Sequence, residues 1–129
     1  IATSRQFAAS RPLVAILMLD NYEDIIIGMK ENLPHTDIVI CSLTSMGDNW
    51  GRNNQLAAYN NVTLHKLAMK HGCEFVDLDT PLFNEATGEI HDGYTIDGGH
   101  LTHAGYLVVS GEIKPVIAGL LDDWTLTSQ

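Results

Sequence analysis

Continuously apolar runs alternate along the chain with stretches whose apolar residues recur at helical spacing. Leu13-Val14-Ala15-Ile16-Leu17-Met18-Leu19 is apolar throughout, the pattern of a strand covered on both faces. Asp37 to Leu43 and Cys73 to Leu78 read as two further buried strands, each with an apolar centre. Between the first two lies a predicted helix from Tyr22 to Leu33, with Tyr22, Ile25, Ile26, Met29 and Leu33 on one stripe and Pro34 ending it. A longer helix is predicted from Asn54 to His71, with Leu56, Asn60, Leu64 and Leu67 on one face and Gly72 as its stop. Thr102 is placed to cap a last helix over His103 to Leu121, which Pro115 is expected to break or kink. Thr44 to Asn53 is a polar loop. Residues 79 to 99 form a long one, which should be functional or well packed.

Strands alternating with helices imply βαβ units, a parallel sheet and right-handed crossovers. No repeat, linker or low-complexity segment interrupts the pattern, so residues 1–129 read as a single α/β domain. In such sheets the ligand site lies beyond the carboxyl ends of the strands. The loops after Leu19, Leu43 and Leu78 belong to that end, together with the turn at Asp97 to His100.

Charge narrows the partners. A net charge of -9 with only seven Lys and Arg argues against nucleic acid, which needs clustered cations, and against an anionic membrane surface. No uninterrupted apolar run reaches the roughly 18 residues of a membrane span, and no secretory signal pattern opens the sequence. Cys41 and Cys73 each sit in a strand-like run and read as buried thiols in a reducing compartment. These features suggest a cytoplasmic protein. The first residue is Ile1 rather than Met, as in a trimmed or incomplete N-terminus.

The segment Tyr94-Thr95-Ile96-Asp97-Gly98-Gly99-His100-Leu101-Thr102 carries the chemistry. Gly98 and Gly99 permit a turn tight enough to bring the Asp97 carboxylate to the ring of His100. A carboxylate on Nδ1–H fixes the tautomer and stabilises the imidazolium, leaving Nε2 as a general base. A serine hydroxyl needs such a base, being a weak nucleophile at neutral pH.

Asp97-Gly98-Gly99-His100-Leu101-Thr102, followed by Ala104-Gly105-Tyr106 and an apolar helix, resembles the last conserved block of the SGNH, or GDSL-type, hydrolases. Asn21-Tyr22-Glu23 leading into a helix, Ile38-Val39-Ile40, Asn60, and Phe75-Val76-Asp77-Leu78 also sit where that family has similar residues. The resemblance covers about residues 12 to 121. It implies a flavodoxin-like parallel sheet flanked by helices, and hydrolysis of a small ester or acetylated substrate with no cofactor and no metal. It also implies Asp97 and His100 as the acid–base pair of a Ser-His-Asp triad.

The chain departs from the family in two blocks. It contains no Gly-Asp-Ser, and none of its six serines follows an early strand with a Gly-Asp lead-in. The family's first strand and nucleophile block would precede this chain, making it a truncated version of the fold that is inactive or weak by itself. Where the family has Gly-x-Asn-Asp, the chain reads Leu19-Asp20-Asn21-Tyr22. Asn21 is then either the oxyanion-hole Asn or, if the block is deleted, an N-cap of the following helix. The deletion register matches that helix more closely.

Without the first strand, Leu13 to Leu19 would become an apolar sheet edge. Self-association through it is therefore expected, and a non-catalytic dimerising domain that keeps the old pocket is the alternative function. Trp50 is either a wall of the substrate pocket or a loop aromatic packed on the sheet. Arg52 is a candidate for holding a substrate carboxylate, beside Asn53 and Asn54 as candidate helix caps. His100 and His103 stand at a permitted ligand spacing, but three ligands including Asp97 from one turn make poor geometry for a closed metal site.

Overall fold

A computed structural model describes the backbone of residues 4–127 and the side chains of residues 18–124. The chain divides into two compact units, Ile1–Thr36 and Asp37–Gln129.

The first unit is one long helix, α1 (Ser4–Asn32). The predicted Tyr22 helix lies inside it, but so does Leu13 to Leu19, and the strand expected there is a helix instead. A short apolar run has no period that separates strand from helix. Leu, Ala and Met are strong helix formers, and nothing between Leu19 and Tyr22 breaks the pattern. Asn21 consequently lies mid-helix, neither in a loop after a strand nor at an N-cap. The self-association expected through an edge strand at 13–19 has no strand to act through. Of the predicted stripe, Ile26 is buried, while Ile25, Met29 and Leu33 are exposed.

The second unit is built on a βαβ core. Strand β1 (Val39–Cys41) leads into α2 (Asn54–Lys70), which returns to β2 (Glu74–Val76). The two strands pair in parallel, with Val39 opposite Glu74, Ile40 opposite Phe75 and Cys41 opposite Val76. Asn53 caps α2 by accepting the Leu56 N–H at 3.0 Å, which satisfies one of the free donors of the first turn. The buried stripe of α2 is Ala57, Asn60, Leu64 and Ala68, rotated slightly from the Leu-based stripe read in the sequence. With Ile40, Val76, Leu78, Leu82 and Ile90 these residues form the core. Among the described residues, the buried Oδ1 of Asn60 has no hydrogen-bond partner. Cys41 and Cys73 are free and only half-buried, and burial raises the Cys41 thiol above its ordinary pKa.

The long loop after β2 is well packed. It contains an antiparallel hairpin of β3 (Phe83–Asn84) and β4 (Glu89–Ile90). Asn84 organises its turn, its side chain accepting from Ala86 N–H at 3.0 Å and its carbonyl from Gly88 N–H at 2.8 Å. Helix α3 (His103–Thr127) starts where Thr102 Oγ1 accepts the Gly105 N–H at 3.1 Å, the cap read from the sequence. It runs through Pro115 unbroken. The carbonyl of Gly111, which loses its partner to the ring, lies at an exposed position where water can replace the bond. Despite its scattered charges, α3 is long and apolar enough over His103–Trp124 to cross a membrane by length and composition alone, at a mean hydropathy of 1.4. It touches β2, but only 6% of that stretch is buried, and Tyr106, Leu107, Ile117, Leu121 and Trp124 are exposed.

Candidate active site

Two loops at the carboxyl end of the strands meet at the Asp97 turn. The first follows β1. Ser42 N–H continues the parallel ladder to the Val76 carbonyl, and Ser42 Oγ accepts from Leu78 N–H at 2.9 Å. Asn61 holds both backbone groups of Leu43, at 2.7 and 2.9 Å. Ser45 N–H donates to Asp79 at 2.6 Å, and Asn54 bonds both N–H and carbonyl of Met46, at 2.9 and 2.8 Å. The loop is therefore anchored from both sides before it reaches a 3-10 turn at Asp48–Trp50.

That turn grips the second loop. Asn49 Nδ2 and Trp50 Nε1 both donate to the Asp97 carbonyl, at 2.8 and 2.9 Å, and Gly47 N–H donates to the Gly98 carbonyl at 2.7 Å. The approach is too close for a side chain on either glycine of the turn. A Cβ at Gly98 would collide with Asn49 Oδ1, and one at Gly99 would sit 2.8 Å from Trp50 Cε2 and 2.9 Å from Met46 Cε. Gly98 also has φ +91, a backbone angle that side chains resist. Thr95 Oγ1 closes the turn from below, accepting from Gly98 N–H and donating to the His100 carbonyl, both at 2.8 Å.

Within this frame one carboxylate organises the site. Asp97 Oδ1 accepts the backbone N–H groups of Gly99 at 3.0 Å and His100 at 2.8 Å, while Oδ2 meets His100 Nδ1 at 2.7 Å. The backbone bonds from His100 and Gly99, then the ring, hold the carboxyl at a pKa of about 2 against an ordinary 3.8. An ionised carboxylate only accepts hydrogen bonds, so Nδ1 carries a proton, and in the neutral ring the lone pair is on Nε2. The ring is 71% exposed. Among the described residues nothing bonds Nε2. His100 can therefore take a proton from a nucleophile brought to it from solvent or another segment.

The structure thus joins Asp97, His100 and Trp50, whose ring lies edge-on to the imidazole at a centroid distance of 6.0 Å. Trp50 packs on the Asp97 turn rather than on the sheet and stays 47% exposed. Arg52 lines a separate cleft with Asp48, Asn53 and Glu89. Desolvation lowers its pKa and the charge of Asp79 raises it. Asn21 belongs to the other unit. Sequence reasoning did not single out Asn49 or Thr95, whose short polar side chains two residues from a glycine were the available signal. Among the described residues no three His, Cys, Asp or Glu side chains are placed to hold a metal.

The second unit is an α/β unit with an Asp–His pair on a loop beyond its parallel strands. Solved structures share this fold. A Streptococcus pneumonia protein assigned as a platelet activating factor matches with a TM-score of 0.73 and 28% identity, over 79% of this chain and 51% of that one. An assigned acylhydrolase from Bacteroides fragilis matches at 0.68 and 24%, over 79% and 52%. A GDSL-like lipase from Bacteroides thetaiotaomicron matches at 0.65 and 21%, over 78% and 53%. The chain spans about half the length of these structures and has an α/β fold of the SGNH/GDSL type over that half. No family model and no curated protein matches the sequence.

Proposed function

We propose that this chain carries the acid–base half of a serine ester hydrolase of the SGNH/GDSL type. The carrying observation is the 2.7 Å contact from Asp97 Oδ2 to His100 Nδ1, with Nε2 left open. In the proposed reaction Nε2 takes the proton of a serine hydroxyl as its oxygen attacks the ester carbonyl. The same proton passes to the departing alcohol oxygen as the tetrahedral intermediate collapses, and water repeats the cycle on the acyl-enzyme. Among the described serines, Ser42 and Ser45 are buried, Ser42 is engaged with Leu78, and Ser110 lies within helix α3. The nucleophile is accordingly assigned to another segment or chain, and the 129-residue chain alone is a weak catalyst.

Two measurements test this. With p-nitrophenyl acetate the isolated chain should turn over no faster than free imidazole, and fluorophosphonate should not label it. In the assembly that supplies the serine, labelling should appear, and His100→Ala should cost roughly 10³-fold or more in kcat/KM. Labelling that survives His100→Ala would sink the proposal. An assembly that never labels would favour a non-catalytic domain that has kept the fold.

A further inference from the structure

We propose that the cleft between the Asp48–Gln55 segment and the β3–β4 turn is a subsite for a neutral, hydroxyl-rich group, so that the ester acted upon is a carbohydrate ester rather than a lipid ester. The inference rests on the reading of Asp97 and His100 as the acid–base pair. The cleft has a volume of about 440 Å³ and is lined by Asp48, Arg52, Asn53, Gln55, Thr87 and Glu89, among others, within the range of roughly 300–1,000 Å³ usual for small-molecule sites.

Its two walls are tied together. Asn54 Nδ2 donates to the Gly88 carbonyl at 3.0 Å, and Asp48 N–H donates to Glu89 Oε1. Held in this way, the walls keep their polar groups in place without help from a ligand. Among the described residues, the Asp48 carboxylate, the Arg52 guanidinium and the Gln55 amide make no hydrogen bond within the protein. They offer acceptors, donors and both together to a ligand.

Charge and apolarity choose the ligand class. Two carboxylates against one guanidinium leave the cleft negative, which opposes a phosphate headgroup. A fatty chain needs an apolar wall, and the cleft does not provide one. The groove that does, lined by Val39, Ile117, Leu120 and Leu121 among others, lies at the amino end of β1, away from the catalytic loops. Hydroxyl groups need both donors and acceptors, and sugar rings also need a flat apolar face for their C–H groups. Trp50 belongs to the same 3-10 turn as Asp48, is 47% exposed and stands 6.0 Å from the His100 ring. In the proposed pose the ester sits at His100 and the sugar runs over Trp50 toward the cleft.

The test is a binding titration that does not depend on turnover. In a Trp124→Phe background, Trp50 is the sole tryptophan, since the chain has two. Its emission should respond saturably to at least one of xylotetraose, cellotetraose, mannotetraose and chitotetraose. It should not respond to dibutyryl phosphatidylcholine below micelle formation. Arg52→Ala and Gln55→Ala should each weaken sugar binding at least fivefold, with circular dichroism unchanged. No response to any of the four sugars, a response to the phospholipid instead, or sugar affinity indifferent to both substitutions would overturn the inference. His100→Ala separates the two proposals. Sugar binding that persists in an assembly that supplies the serine yet shows no His100-dependent hydrolysis refutes the catalytic reading alone, whereas His100-dependent hydrolysis in that assembly with no sugar binding refutes only the subsite.

Discussion

Three glycine-to-alanine substitutions resolve what holds the Asp97–His100 turn in place. Gly88 has φ +73 and open space around its missing Cβ, so Gly88→Ala reports the backbone cost alone, about 1–2 kcal/mol. Gly99 has no positive φ, but its Cβ would press on Trp50 and Met46. Gly99→Ala therefore reports the packing cost alone, about 1–3 kcal/mol for a well-filled site. Gly98 combines φ +91 with a collision at Asn49 Oδ1 and a 3.1 Å approach to Trp50 Cδ1, so Gly98→Ala should cost roughly 2–5 kcal/mol. Urea unfolding at constant m-value measures all three. For a unit the size of residues 37–129, each kcal/mol should also lower Tm by about 4–8 °C. The decisive comparison is Gly98→Ala with Gly88→Ala. If they agree within about 0.5 kcal/mol, inside the additivity error, then the turn does not press on Asn49 and Trp50, and the account of how His100 is aimed is wrong.

Two other outcomes are expected. The Asp97 carboxyl carbon should titrate at about 2 rather than 3.8, and should stay depressed in His100→Ala, because the backbone bonds outrank the ring among its causes. A folded pKa below the unfolded one makes this stabilisation fully present above about pH 4 and lost as pH falls through about 2. A midpoint near 3.8 in the wild type would mean the turn is not formed. Thr102→Ala removes the cap on Gly105 N–H and the 2.8 Å bond to the Gly93 carbonyl. It should cost about 1 kcal/mol by thermal or urea unfolding, with Thr102→Ser recovering most of it; an unchanged midpoint in Thr102→Ala would dismiss the cap.

The sequence by itself determined whatever depends on neighbours along the chain. The period of α2, its Asn53 cap, the Gly72 stop, the Thr102 cap and the two parallel strands were legible because periodicity and capping act within a few residues. The Asp97–His100 pair was legible for the same reason, since the turn that joins them is three residues long. Tertiary structure decided what local pattern leaves degenerate. Leu13 to Leu19 has the composition of a buried strand and of a helix alike, and a strand additionally needs a neighbouring strand to receive its hydrogen bonds. Asn21 changed meaning with it. The β3–β4 hairpin was hidden in a loop because its strands are two residues each, too short for a period of two to show. The grip of Asn49 and Trp50 on Asp97 spans more than forty residues of sequence, and no spacing rule reaches that far. The local sequence makes the Asp97–His100 pair. The distant loop packed against it aims the pair, because a turn exposed on one side stays in place only when something fixes the other.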